Sequence, residues 1–158
     1  MKRIMASLLF FLVLSMTAGC AAGTTEDDHG HEHGDLPYEW SGELMFEPGT
    51  YEMVFQESGD PAMDIAFVIL DGSINDVEHH AHHILEADMV LVGAGDSFSA
   101  LPDYGYTLGL NPDHTTFTFH IEEGGRYSLF TEHKPEEFDL AFFNEAGELL
   151  VPENQQEY

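Results

Sequence analysis

The sequence is short of cysteine, of positive charge and of long apolar runs. Its 158 residues contain one cysteine, Cys20, so no disulfide can form within the chain and no set of thiolates can hold a metal. Lysine and arginine together number 4 against 30 aspartates and glutamates, a formal charge of −26 at pH 7. Such a surface repels phosphate backbones and draws cations toward it, which excludes nucleic acid as a partner. The same acidity keeps a protein soluble in saline or alkaline medium, so it does not by itself define a metal site. The one sustained apolar run, Ile4 to Leu14, is too short to cross a bilayer. No segment repeats with a period of roughly 20–50 residues, which sets aside solenoids and propellers. A nucleophile elbow, a zinc-protease helix and a Gly-rich phosphate loop are also missing, so an enzyme is not expected and a metallohydrolase is the least favoured reading.

The first 19 residues are organised as a secretory signal peptide. Lys2 and Arg3 precede the apolar run, and small residues lead up to position 20. The stretch "TAGC", residues 17–20, resembles the lipobox of bacterial lipoproteins, with Thr17 where that family usually carries leucine. The resemblance implies a lipid on Cys20 as the first mature residue. The protein would then be anchored to the membrane on the extracytoplasmic face of the cell envelope. Lys2 and Arg3 leave with the signal, so Arg126 and Lys134 are the remaining cations of the mature chain. With Cys20 lipidated, metal ligands must be nitrogen or oxygen donors, with methionine sulfur as the soft alternative. Met45, Met53, Met63 and Met89 stand singly in strand-like runs, where methionine serves as core filler.

Residues 20–36 have almost no large apolar side chain and are expected to form a disordered tether. His29, His31 and His33 alternate with Gly and Glu within it and can collect metal loosely. From residue 37 to 158 one domain is expected. "YEWSGELMF", "TYEMVFQ", "MDIAFVIL", "TTFTFHI", "RYSLFT", "FDLAFF" and "ELLV" are rich in aromatic and branched residues, and turn chemistry separates them. This predicts a mainly β fold: an antiparallel sandwich of about eight or nine strands, joined as a meander, with one short helix.

That helix is expected over residues 74–87, around "DVEHHAHHILEAD". At about 100° per residue, Val77, Ala81, Ile84 and Leu85 gather on one face, and His79, His82, His83 and Glu86 on the opposite one. Ser73 is the expected N-cap. Polar helix faces are normally filled by good helix formers, and histidine is a mediocre one, so four histidines in five positions call for a chemical reason. His79 and His83 have the i, i+4 spacing of helical pairs that chelate zinc, and so do His82 and Glu86. A zinc site needs further ligands. His133, at the end of the strand "RYSLFT" and flanked by Glu132, Glu136 and Glu137, is the expected remote partner. His114 and His120 are expected to be ordinary surface residues.

"TTFTFHIEEGGRYSLFTEH" resembles the last two core strands of cupredoxins, in which a strand, a Gly turn and an aromatic strand lead to copper ligands at one pole of a sandwich. Thr131 stands near the place of the copper-binding cysteine, which excludes a blue-copper carrier. The His-rich tether beside a defined site is similar to the metal-binding accessory proteins of bacterial zinc import. Together these features imply a tethered extracytoplasmic protein that binds a divalent transition metal. Zinc is the first choice, with Cu(II) or Ni(II) as alternatives, and a metal-uptake transporter is the implied partner. Two other readings fit the same residues: a structural or adhesive module with incidental histidines, and a pH sensor in which crowded imidazoles charge on acidification.

Overall fold

The alternation in "TTFTFHI" is realised directly. Phe117, Phe119 and Ile121 are fully buried while His120 between them is exposed, the period-two pattern of a half-buried strand. The computed structural model describes residues 36–56 and 59–158. The expected signal peptide, Cys20 and the tether histidines His29, His31 and His33 lie outside those residues.

Eleven strands form among the described residues: β1 (Trp40–Phe46), β2 (Gly49–Phe55), β3 (Ala62–Ile69), β4 (Val90–Val92), β5 (Ser97–Ser99), β6 (Tyr104–Gly109), β7 (Thr115–Ile121), β8 (Gly125–Thr131), β9 (Ala141–Asn144), β10 (Leu149–Leu150) and β11 (Glu153–Glu157). One helix, α1 (Val77–Glu86), lies between β3 and β4. A six-stranded sheet in the order β11-β1-β8-β3-β6-β4 faces a five-stranded sheet in the order β10-β9-β2-β7-β5. The pairings are antiparallel except for β4 with β6 and β5 with β7. The expected sandwich is therefore present, with more strands than anticipated, because short β4, β5 and β10 and polar β11 join it.

The meander expectation is corrected. Among the described residues β9 and β10 are the one pair of consecutive strands that bond to each other. The segment "EEGG" is a corner between sheets and makes no hairpin. Gly49 pairs with Ile121 in the five-stranded sheet, and three residues back Phe46 pairs with Gly125 in the six-stranded one. Strands β1–β2 and β7–β8 thus form one long two-stranded ribbon, bent where Glu47–Pro48 meets Glu122–Gly124. A Cβ on Gly124 would stand 2.7 Å from Pro48 Cδ and 3.3 Å from the Phe46 carbonyl, so only glycine lets the two corners touch. The sheets close on an aromatic core in which the ring of Phe119 lies 5.7 Å from those of Phe46 and Phe67.

Strand β3 departs from alternation because both its faces are covered. Ile65 and Phe67 enter the core, while Ala66 and Val68 lie beneath the helix with Phe130 of β8. A continuous apolar run is the sequence of such a strand. The N-cap of α1 is Asp76 rather than the expected Ser73: its carboxylate accepts from the His79 backbone N–H at 3.0 Å. Ser73 is instead held in a turn, donating its N–H to Asp71 Oδ1 at 2.8 Å beside Gly72 at φ +85°. At the other edge, Arg126 bridges Glu43 at 2.9 Å and Glu153 at 3.0 Å, and Lys134 pairs with Glu157. Arg126 and Lys134, the two Lys/Arg side chains among the described residues, therefore hold acidic β11 against its sheet.

Candidate metal centre

Helix α1 rides on the outer face of the six-stranded sheet. Ala81 and Leu85 are buried against Ala66, Val68, Phe130 and Tyr38, with Val77 and Ile84 partly buried at the margins. Gly105 of β6 permits this approach, since a Cβ there would stand 3.0 Å from Ile84 Cγ2 and 3.0 Å from Met89 Cγ. Tyr38 seats the first turn: its hydroxyl donates to the Glu78 carbonyl at 3.3 Å, and its ring packs edge-on against Phe130 and Tyr158. Burial, reinforced by Tyr158, Glu78 and Asp76, pushes the Tyr38 phenol up to about 12.

Docking this apolar stripe turns the opposite face of the helix to solvent. His79 and His83 come together there, their Nε2 atoms 3.0 Å apart and their ring centroids 4.4 Å apart. One neutral ring must donate and the other accept across that gap. One residue round the helix, His82 Nε2 lies 3.1 Å from Glu86 Oε2. The structure thus brings together both i, i+4 pairs predicted from the spacing.

His133 is placed differently. Its Nδ1 lies 3.9 Å from Glu39 Oε2, its ring stacks on Phe138, and its backbone carbonyl accepts from buried Thr131 Oγ1 at 2.6 Å. No group of three or more His, Cys, Asp or Glu side chains suited to one metal ion occurs among the described residues, so His133 does not join the helical pairs in this structure. His120 Nδ1 faces Thr50 Oγ1 at 3.5 Å, and His114 Nε2 faces Thr116 Oγ1 at 3.0 Å.

The helical projection passed over His80. It sits at the margin of the apolar stripe, one turn before Ile84, and faces the loop that enters β6. Its Nε2 lies 3.5 Å from Asp103 Oδ1. Both atoms are shielded from solvent, and neither makes a hydrogen bond. The two residues line a cleft of about 280 Å³, together with His83, Ile84, Asp88, Val90 and Tyr104. The position of His80 beside the stripe was readable. Its partner was not, because Asp103 is 23 positions further along and meets the helix only through the fold.

Comparison with protein families, with curated proteins and with solved structures finds no match to the chain.

Proposed function

We propose that this chain is a membrane-tethered extracytoplasmic protein that binds a divalent transition-metal ion and buffers it or hands it to an uptake system. Zinc is the first choice, and Cu(II) or Ni(II) are compatible with the same nitrogen and oxygen donors. The observation that carries this reading is the approach of His79 and His83. Two nitrogens bonded at about 2.0–2.1 Å to one tetrahedral ion stand about 3.3–3.4 Å apart. The two Nε2 atoms are at 3.0 Å, so a rotation opening the gap by a few tenths of an ångström admits the ion. In the metal-free chain a proton bridges the rings; the cation takes its place. Glu86 and His82 stand alongside, and the exposed face leaves the remaining positions to water or to a donor from a receiving protein.

The test is Zn(II) calorimetry on chelator-stripped full-length protein, lipidated, detergent-solubilised and free of any His-tag. The wild type should bind with a defined stoichiometry, and binding should weaken as the medium is acidified, because protons compete for the ring nitrogens. The double variant His79→Ala, His83→Ala should lose its tightest binding event and keep its fold, since both residues lie off the buried stripe. Equal affinity in the double variant would refute the assignment. A conformational change on acidification in chelator, with no metal binding at pH 7, would favour the pH-sensor reading instead.

A further inference from the structure

The cleft between α1 and β6 holds a second pair of donors, separate from His79 and His83. His80 Nε2 and Asp103 Oδ1 face each other at 3.5 Å; the two atoms are turned from solvent and make no hydrogen bond, while their side chains are 37 % and 36 % exposed at the cleft. A polar atom turned from water without a hydrogen bond is costly, and folded proteins rarely leave two complementary ones face to face in that state. The spacing is long for a hydrogen bond, though it lies within ion-pair range. It also suits two atoms that share a metal: bonds of about 2.0–2.2 Å at a tetrahedral angle put the donors roughly 3.3–3.6 Å apart.

The loop is built to hold the carboxylate in place. Asp103 has a left-handed backbone at φ 62°, and its N–H donates to the Phe67 carbonyl of β3 at 2.7 Å. Two residues earlier, the Leu101 N–H donates to the Tyr106 hydroxyl at 2.9 Å, and that hydroxyl donates to the Ser99 carbonyl at 2.7 Å. His80 is fixed from the other side by the helix, its N–H bonded to the Asp76 carbonyl at 3.1 Å. Both donors therefore sit on anchored backbone, which is what a preformed cation site requires.

We propose that His80 and Asp103 form a second binding site for a divalent transition-metal ion. One imidazole and one carboxylate come from the protein, and water in the cleft completes the shell. The donor set suits zinc, copper(II) or nickel(II) better than calcium or magnesium, which take oxygen ligands. Asp88 on the cleft wall adds negative charge that favours a cation over an anion. His83 lines this cleft and also belongs to the His79–His83 pair, so the two sites are neighbours on one helix.

The test follows each imidazole separately. Full-length, detergent-solubilised chain carrying His29→Ala, His31→Ala and His33→Ala removes the tether ligands. Zn(II) is titrated into it while long-range proton–nitrogen spectra report the ring nitrogens. The His80 Nε2 resonance should move to a metal-bound position and saturate. Adding Asp103→Asn, which keeps the shape of the side chain, should weaken that response by about tenfold or more and leave the His79 and His83 responses in place. Adding His79→Ala and His83→Ala instead should leave the His80 response intact. Amide spectra of each variant establish that the fold persists.

A His80 ring unmoved through about three equivalents of Zn(II) overturns the proposal. So does an identical response with and without the Asp103 carboxylate, which would make the pair a plain ion pair. Loss of the His80 response with His79→Ala and His83→Ala would merge the two sites into one and equally refute it. Silence of His79 and His83 with a responding His80 would reject the function proposed for the first pair and sustain this one.

Discussion

Tyr38 offers a way to read the seat of the histidine helix through pH. The residue is 2 % exposed, and its hydroxyl reaches the first turn of α1 at Glu78. Burial comes first among the causes that hold its proton, with the charges of Tyr158, Glu78 and Asp76 adding to it, and the phenol is pushed from 10.0 up to about 12. A group whose folded pKa is raised contributes stability that is complete below its unfolded pKa and is lost as pH rises through the folded one. The window is therefore pH 10 to about 12. Between those limits the unfolded chain releases a proton that the folded chain keeps. Linkage gives a loss of about 1.4 kcal/mol at pH 11 and about 2 kcal/mol by pH 11.5.

Tyr106, Tyr127 and Tyr158 are also raised by burial, so the wild type should weaken in alkali for more than one reason. The difference between wild type and Tyr38→Phe isolates Tyr38. At pH 9 the variant should be less stable by under about 1 kcal/mol, because the bond it loses is long and neutral. Above pH 10 that deficit should shrink, and the two curves should cross between about pH 10 and 11. Urea unfolding followed by far-UV circular dichroism at half-unit steps from pH 9 to 11.5 measures both. Parallel curves over the whole range would show that Tyr38 ionises as freely in the folded chain as in the unfolded one, and the account of the helix seat would fail.

One further outcome follows from the packing of α1 and another from the sequence before residue 21. Gly105→Ala places a methyl 3.0 Å from Ile84 Cγ2 and Met89 Cγ, atoms near the roots of their side chains, so it should lower stability by about 1–2 kcal/mol in urea melts. Zn(II) affinity at His79 and His83 should survive that change, because both ride on one helix; a loss of affinity beyond tenfold would mean that the pair depends on contact with β6. Cys20→Ser should release the protein from membranes or leave its signal uncleaved, and fractionation identical to wild type would reject the lipobox assignment.

What could be read from the chain followed from local periodicity. Val77, Ala81, Ile84 and Leu85 repeat at helical spacing, and the structure docks that stripe on Ala66, Val68 and Phe130. Phe117, Phe119 and Ile121 repeat at strand spacing and are buried together. Pairing partners were not legible, because an alternating strand looks the same whichever sheet it joins. The "EEGG" corner shows this: its glycines suit a hairpin, and only the approach of Gly124 to Pro48 reveals a bend between sheets. Strand β11, "ENQQE", has no apolar face at all. It is held by backbone pairing with β1 and by Arg126 and Lys134, cations far from it in sequence. His133 lies beside Glu39 because the chain enters β1 where β8 ends, a neighbour that no spacing rule supplies.

The placement of the helix bears on what kind of metal protein is being proposed. A structural zinc site is part of the core, and its loss unfolds the domain. Here the core closes without any of the four helical histidines: Phe46, Phe67 and Phe119 fill the space between the sheets, and the helix is held by its own apolar stripe. Metal binding on the opposite face would therefore add little to folding, and release would cost the protein none of its structure. On the proposed reading, two protein donors per ion leave open coordination positions through which a water or an incoming ligand can enter and carry the ion away. The acidic surface would work in the same direction, raising the local concentration of cations at such an incompletely closed site. A storage protein would enclose its ion; the open site proposed above would suit buffering or transfer instead.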